Sequence, residues 1–72
     1  MSNSTPQWHN IIKDLGPSLY RYFSASFATQ TAADLVQETL IRLVHKQRRG
    51  EFAAEKGSLK AYAFGIARFV RL

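Results

Sequence analysis

The feature that most constrains this chain is the order of apolar and polar residues in positions 33–44. Four aliphatic residues recur there at i, i+4, i+7 and i+8, which places them along one side of an α-helix. They are Val36, Leu40, Leu43 and Val44. The segment therefore predicts a helix that buries one side in a core.

The other side of this predicted helix is polar but contains one large aliphatic residue. The polar residues on it are Asp34, Gln37, Glu38, Arg42 and His45. Ile41 lies among them, one turn after Gln37 and Glu38. Two interpretations remain open: Ile41 adds apolar area to a surface that docks on a partner, or it is one of the many apolar residues that protein surfaces expose.

The length and the lack of cysteine limit what the chain can be. A chain of 72 residues makes one small domain, near the lower limit for a stable single core. Without cysteine, disulfides and thiolate metal sites are excluded. The first residues are polar and no apolar run approaches the roughly 20 residues that span a bilayer. We therefore expect a cytoplasmic protein without membrane insertion.

No residue pattern indicates catalysis. His9 and His45 lie far apart and lack partners at metal-ligand spacing. The serines have no His and Asp arranged around them as a nucleophile would need. We expect no enzymatic activity, no metal and no cofactor.

The charge is distributed unevenly along the chain. Residues 1–36 contain as many acidic as basic side chains, so the net charge of +5 resides entirely in residues 37–72. A basic half favours a polyanionic partner, most often nucleic acid. The remaining interpretation is a solvated basic surface that only keeps the domain soluble.

The first predicted helix contains an interruption. Residues 1–5 are polar and are expected to be disordered, and Thr5 followed by Pro6 is a typical helix start. The apolar residues keep one helical phase on both sides of Gly16-Pro17, a pair that normally breaks a helix. We expect either one bent helix or two nearly collinear ones.

The boundaries of the other helices follow from local signals. Residues 27–31 are predicted to connect the first two helices, with Thr31 near the start of the second. That helix is predicted to run to about Gln47, where basic residues and a glycine follow. Ser58 is predicted to cap a third helix that continues to the chain end.

The third predicted helix carries an aromatic residue among cations on one side. Lys60, Phe64, Arg68 and Arg71 share that side. Cations follow the phosphates of single-stranded nucleic acid, and an aromatic ring stacks on its bases. The alternative is that Phe64 packs beneath a neighbouring segment and the cations are only solvated.

The predicted fold is therefore all-α, a small bundle of three main helices in which neighbouring helices are roughly antiparallel. Residues 1–72 form a single domain. Periodicity predicts a core that consists of Trp8, Ile12, Leu15, Leu19, Phe23, Val36, Leu40, Leu43, Val44, Leu59, Ala63, Ile66 and Val70.

Two separated motifs resemble the sigma factors of bacterial RNA polymerase. The run Asp34-Leu35-Val36-Gln37-Glu38-Thr39, continued by Leu40-Ile41-Arg42-Leu43, is similar to their core-binding helix, above all in the extracytoplasmic-function (ECF) group. Phe52, Lys56-Gly57-Ser58-Leu59-Lys60-Ala61-Tyr62 and Phe64-Gly65-Ile66-Ala67-Arg68 follow in the order and spacing of the same family. The resemblance is to the family's second conserved region and covers residues 15–72.

The resemblance implies one protein partner for the second helix. In the family this region docks on a coiled coil of the polymerase beta-prime subunit. Asp34, Gln37 and Glu38 match the motif that makes this contact, and Ile41 and Arg42 extend the surface. An anti-sigma factor is a further expected partner.

The resemblance also implies recognition and opening of the promoter −10 element. In the family an extruded base of the non-template strand enters a pocket, and the energy lost on unstacking must be compensated there. Phe52, Lys56, Ser58 and Lys60 are expected around this pocket. Lys60, Arg68 and Arg71 are expected to bind phosphates, with Phe64 between them.

The chain departs from the family in three places. Many relatives have Trp near Tyr62-Ala63, and Asn or a small polar residue where Phe69 follows Arg68. The chain also ends at Leu72, whereas family members continue to a second domain for the −35 element. We expect either an excised domain or a natural truncation, and weak DNA binding by the chain alone.

Two other functions fit the residues alone. A helical DNA-binding module unrelated to polymerase predicts duplex binding through Lys60, Arg68 and Arg71. A pure protein-interaction bundle, centred on Ile41, predicts no salt-dependent binding of nucleic acid.

Overall fold

A computed structural model describes residues 8–49 and 59–71 of the chain. Three α-helices account for most of these residues: α1 spans Trp8–Ser24, α2 spans Thr29–Arg48 and α3 spans Leu59–Val70. No strand occurs in either described range. The prediction of a small all-α bundle of three main helices is confirmed.

The proline of α1 lies inside one uninterrupted helix. Pro17 has no N–H to give the carbonyl of Lys13 four residues earlier, and it is flanked by Gly16, yet the helix continues to Ser24. Leu15, Leu19 and Phe23 keep one buried face across this site, and that burial favours continuity over a break. The bend remains a prediction, and the predicted start at Thr5 and Pro6 lies outside the described residues.

The connection between α1 and α2 is shorter than the sequence predicted. The carbonyl of Phe23 accepts hydrogen bonds from the amides of Ser26 at 3.0 Å and Phe27 at 2.9 Å. The amide of Ala32 already donates to the carbonyl of Ala28 at 2.8 Å, and α2 begins at Thr29 without a side-chain cap. Placing the connection at residues 27–31 was therefore wrong. Residues 29–31 belong to α2, because packing of the fully buried Ala32 favours helical structure at this end of the helix.

The core lies along α2, which packs against both other helices, whereas α1 and α3 contact each other less. Six predicted core residues are buried: Leu15, Leu19, Phe23, Leu43, Ala63 and Ile66. Five more are half-buried: Val36, Leu40, Val44, Leu59 and Val70. The side chain of Trp8 lies outside the described part of the structure.

The core differs from the prediction at four positions. Ile12 is 43% exposed, so its assignment to the core was wrong. It lies at the edge of the buried face of α1, to which Leu15 belongs. Ala32, Thr39 and Ala67 are fully buried although the sequence did not indicate them. The hydroxyl of Thr39 donates to the carbonyl of Leu35 at 2.8 Å, which satisfies the buried group.

Candidate functional site

Four residues form a continuous exposed surface on α2, the α2 patch: Asp34, Gln37, Glu38 and Ile41. Asp34 lies three and four residues before Gln37 and Glu38, and Ile41 lies four and three residues after them, so the four residues share one side of the helix. Ile41 is 53% exposed, so it contributes apolar area that the described residues leave uncovered. The amide of Gln30, one turn earlier, donates to Asp34 Oδ1 at 3.3 Å.

Arg42 joins the α2 patch to α3. Its Nε lies 2.7 Å from Glu38 Oε2, within one helical turn. Its guanidinium carbon lies 5.6 Å from the centroid of the Phe69 ring. The sequence grouped Arg42 with the α2 patch, and the structure places its charged end at the edge of that patch, turned towards α3.

An apolar recess adjoins the α2 patch on the side of α1. Ile12 of α1 shares one shallow depression with Leu40, Ile41 and Val44 of α2. Ile12 and Tyr20 share a second one with Leu40. The exposed fractions of Ile12 and Tyr20 are 43% and 36%. The sequence did not predict this contribution from α1, because the helical spacing of Ile12 is compatible both with a buried position and with a position at the edge of the core.

The four predicted nucleic-acid contacts on α3 do not share one environment: two are exposed to solvent and two contact α1. Lys60 and Arg68 are exposed. Phe64 is half-buried, and its ring meets that of Tyr22 edge to face, with centroids 5.5 Å apart. Phe52, Lys56 and Ser58, the other predicted nucleic-acid contacts, lie outside the described residues.

Arg71 is held against the C-terminal part of α1. Its guanidinium lies 5.5 Å from the centroid of the Tyr22 ring. It donates to Ser26 Oγ at 3.1 Å and to Tyr22 Oη at 3.4 Å. This side chain connects α3 to the turn after α1, a role that the sequence did not indicate.

A groove lies between α2 and α3, the α2–α3 groove, and has a volume of about 600 Å³. Its lining combines cations of α2 with apolar residues of α3: Arg42, Lys46, Ala61, Tyr62, Gly65, Ile66 and Phe69. Phe69 is 64% exposed. The sequence marked Phe69 only as a departure from the family, although its spacing of four residues from Gly65 could have placed both on one side of α3.

The described ranges contain neither a metal-binding cluster nor a membrane-spanning helix. Among residues 8–49 and 59–71, no cluster of three His, Cys, Asp or Glu side chains is arranged to hold a metal ion. None of the three described helices is both long and apolar enough to cross a membrane.

Comparison with known proteins gives one match. The chain matches the family described as Sigma-70 region 2 over residues 11–72, which is most of its length. No curated protein and no solved structure matches the chain. The chain therefore belongs to the sigma-70 region 2 family and is a sigma-factor domain of transcription initiation, which binds RNA polymerase core and recognises promoter DNA.

Proposed function

We propose that the chain is region two of an ECF-group sigma factor and that its α2 patch binds the coiled coil of the polymerase beta-prime subunit. The observation that carries this proposal is the exposure of Ile41, which is 53% accessible on a helix whose opposite side is fully buried at Leu43. An aliphatic residue exposed to this extent among carboxylates and an amide supplies the apolar centre and the polar rim that a protein-binding surface needs.

The chemistry of the α2 patch fits a basic helical partner. Asp34 and Glu38 are acidic, and Gln37 both donates and accepts hydrogen bonds. Charges at the rim orient the partner and accelerate its association, while burial of Ile41 contributes to the lifetime of the complex. An anti-sigma factor that covered the same patch would compete with polymerase.

We further propose that the promoter-facing part recognises and melts the −10 element through its non-template strand. The basic charge of residues 37–72 supports this role, as does the exposure of Lys60 and Arg68 on α3. The predicted base pocket of Phe52, Lys56 and Ser58 belongs to the same proposal. The domain acts in the cytoplasm, by binding alone, without catalysis or a cofactor.

The first experiment tests where polymerase binds. A photo-crosslinking amino acid at position 41 of the chain is irradiated in complex with core enzyme, and mass spectrometry identifies the linked peptide. A crosslink to the beta-prime coiled coil is the expected result. Crosslinks confined to other subunits would contradict the proposed contact.

Binding of core enzyme by variants completes the test. Gln37→Ala, Glu38→Ala and Ile41→Ala are each expected to weaken binding by about 5- to 30-fold, the loss typical of one good interface residue. Asp14→Ala removes an exposed carboxylate from α1 and is the matched control. The alternative of a DNA-binding or protein-interaction module independent of polymerase predicts equal, unsaturable binding by all four variants.

A further inference from the structure

One side of α2 changes from acidic to basic along its length. Five exposed residues follow one another there at intervals of three or four, and we call them the mixed-charge stripe: Asp34, Gln37, Ile41, His45 and Arg48. Residues at these intervals are neighbours on a helix surface, so the five share one side of α2. The stripe therefore has a carboxylate at one end, a guanidinium at the other and an aliphatic residue in the middle.

The middle of the stripe lies beside further exposed apolar area. Ile41 is 53% exposed, and it shares a shallow depression with Ile12 of α1, which is 43% exposed. His45 and Arg48 line the same depression, whereas Asp34 lines the neighbouring one. An apolar centre between charged ends is the arrangement that a protein-docking surface needs.

The order of these residues is symmetric about Ile41. Asp34 and Arg48 lie seven residues before and after it, which is about 10.5 Å along the helix axis in each direction. Gln37 and His45 lie four residues before and after it. A two-fold axis at Ile41 that makes two α2 helices antiparallel therefore places each Asp34 opposite Arg48 of the second copy. The surface is complementary to itself, which is what a two-fold interface requires.

We propose that the mixed-charge stripe binds a second copy of this chain, with the two α2 helices antiparallel and Ile41 on the two-fold axis. Asp34 of each copy then pairs with Arg48 of the other, and Ile41 and Ile12 of both copies bury apolar area between these pairs. The inference goes beyond the proposed function and does not depend on it. Because the stripe shares Asp34, Gln37 and Ile41 with the α2 patch, a dimer and a partner bound at that patch exclude each other.

The charges select the antiparallel arrangement. Parallel helices would place Asp34 opposite Asp34 and Arg48 opposite Arg48, and like charges at such short distances repel each other. Antiparallel helices bring opposite charges together at both ends. They also place Gln37 opposite His45, and an amide can either donate a hydrogen bond to the imidazole or accept one from it.

The length of the stripe predicts a weak dimer. The stripe extends over about 21 Å of one helix, and a contact of this length lies at the low end of specific interfaces. We expect a Kd on the order of 100 µM and rapid exchange between monomer and dimer. Such a dimer covers Ile41 when no other partner is present, and it yields readily to a partner that binds more tightly.

Sedimentation equilibrium of the 72-residue chain between about 20 µM and 1 mM tests the proposal. Asp34→Arg and Arg48→Asp should each weaken dimerisation by roughly 5- to 30-fold, because both symmetry-related contacts change from attraction to repulsion. A general effect of net charge would instead move these two variants in opposite directions. Asp14→Arg, an exposed charge reversal on the side of α1 that faces Leu59, is the matched control and should leave the Kd unchanged.

Restored complementarity provides the second arm. The chain with both Asp34→Arg and Arg48→Asp should dimerise about as well as the parent, because its opposite charges have only exchanged ends. A mixture of the two single variants should associate at least as tightly as the parent, while each alone stays largely monomeric. Circular dichroism and thermal unfolding establish that every variant is folded.

A nitroxide at position 31 tests the orientation of the two helices. The chain has no cysteine, so Thr31→Cys provides a single attachment point at an exposed position of α2. Position 31 lies ten residues before Ile41, so two labels are about 30 Å apart along antiparallel helices but within about 15 Å on parallel ones. Pulsed electron paramagnetic resonance distinguishes these distances, and the long distance should disappear when Asp34→Arg is added.

Several results would overturn the inference. They are a monomer at every concentration, equal association of the parent and both charge reversals, no recovery in the doubly reversed chain, or the short distance between labels. Binding of core enzyme is measured in parallel. Saturable core binding by a chain that never dimerises would assign the stripe to polymerase alone. Dimerisation as expected, together with unaltered core binding in Ile41→Ala, would contradict the polymerase proposal alone.

Discussion

Glu38 and Arg42 are joined by a contact of 2.7 Å between Oε2 and Nε, one turn apart on α2. The same guanidinium lies over the Phe69 ring of α3. One ion pair therefore links the α2 patch to the α2–α3 groove. A cationic partner that takes over Glu38 would release Arg42 from this pair, which gives the two surfaces a physical route for mutual influence.

The ion pair is expected to matter little for stability. The side chains of Arg42 and Glu38 are 44% and 46% exposed, and solvent screens pairs of this kind. Glu38→Gln should change the free energy of unfolding by less than about 0.5 kcal/mol. Urea unfolding followed by circular dichroism measures it, and a loss above about 1.5 kcal/mol would show that the pair is structural.

Neighbouring positions of α2 should separate binding from folding. Ile41 is 53% exposed and Leu43 is fully buried. Leu43→Ala should lower the free energy of unfolding by about 2–5 kcal/mol, because it leaves a cavity among three helices. Ile41→Ala should lower it by less than about 0.5 kcal/mol, as surface changes usually do, while it weakens binding of core enzyme.

Urea unfolding and core-binding titrations on the same two variants make this comparison. A large stability loss in Ile41→Ala would mean that its weaker binding reflects unfolding. The proposal that the α2 patch binds polymerase would then lose its main supporting observation.

Gly16 offers a stabilising substitution. It lies in the interior of α1, and a methyl group added there would meet no atom within 4 Å apart from its chain neighbours and the backbone of its own helix. Gly16→Ala should raise the free energy of unfolding by about 0.5–1 kcal/mol, because alanine loses less backbone entropy in a helix. Thermal and urea unfolding test this, with Gly65→Ala in α3 as the matched site. A destabilised Gly16→Ala would indicate that the helix is distorted next to Pro17.

Arg71 should contribute to the attachment of α3. Its guanidinium covers Tyr22 and donates to Ser26, and these contacts are exposed. Arg71→Ala should cost about 0.5–1 kcal/mol of stability. Arg68→Ala, at an exposed position of the same helix, should cost less than about 0.5 kcal/mol.

A double-mutant cycle between Arg71→Ala and Ser26→Ala isolates the hydrogen bond. Strictly additive effects would show that the bond contributes nothing. A phosphate role for Arg71 would appear separately, as a smaller salt dependence of DNA binding in Arg71→Ala.

Helical periodicity predicted the number of helices and most of the core. Leu15, Leu19 and Phe23 could be identified because three large apolar residues at four-residue spacing can share only one face. Ala32 and Ala67 could not, since a small residue fits a buried or an exposed position equally well until the neighbouring helix is known. Thr39 was missed for another reason: its hydroxyl is satisfied inside its own helix.

The exposed surfaces were predicted unevenly. The α2 patch lies on one element, so spacing alone placed its residues together. The α2–α3 groove depends on how two helices meet, and no spacing within α2 or α3 shows that Arg42 reaches Phe69. For the same reason the sequence could not reveal that Phe64 and Arg71 contact Tyr22 of α1.

The central position of α2 has a consequence for how such a domain can diverge. Its buried residues pack against both other helices, while its exposed residues form the α2 patch and part of the rim of the α2–α3 groove, so many substitutions in α2 alter one of these surfaces. The outward positions of α3, such as Gly65 and Phe69, face only the groove. Sequence change is therefore tolerated more readily at these outward positions of α3 than along α2.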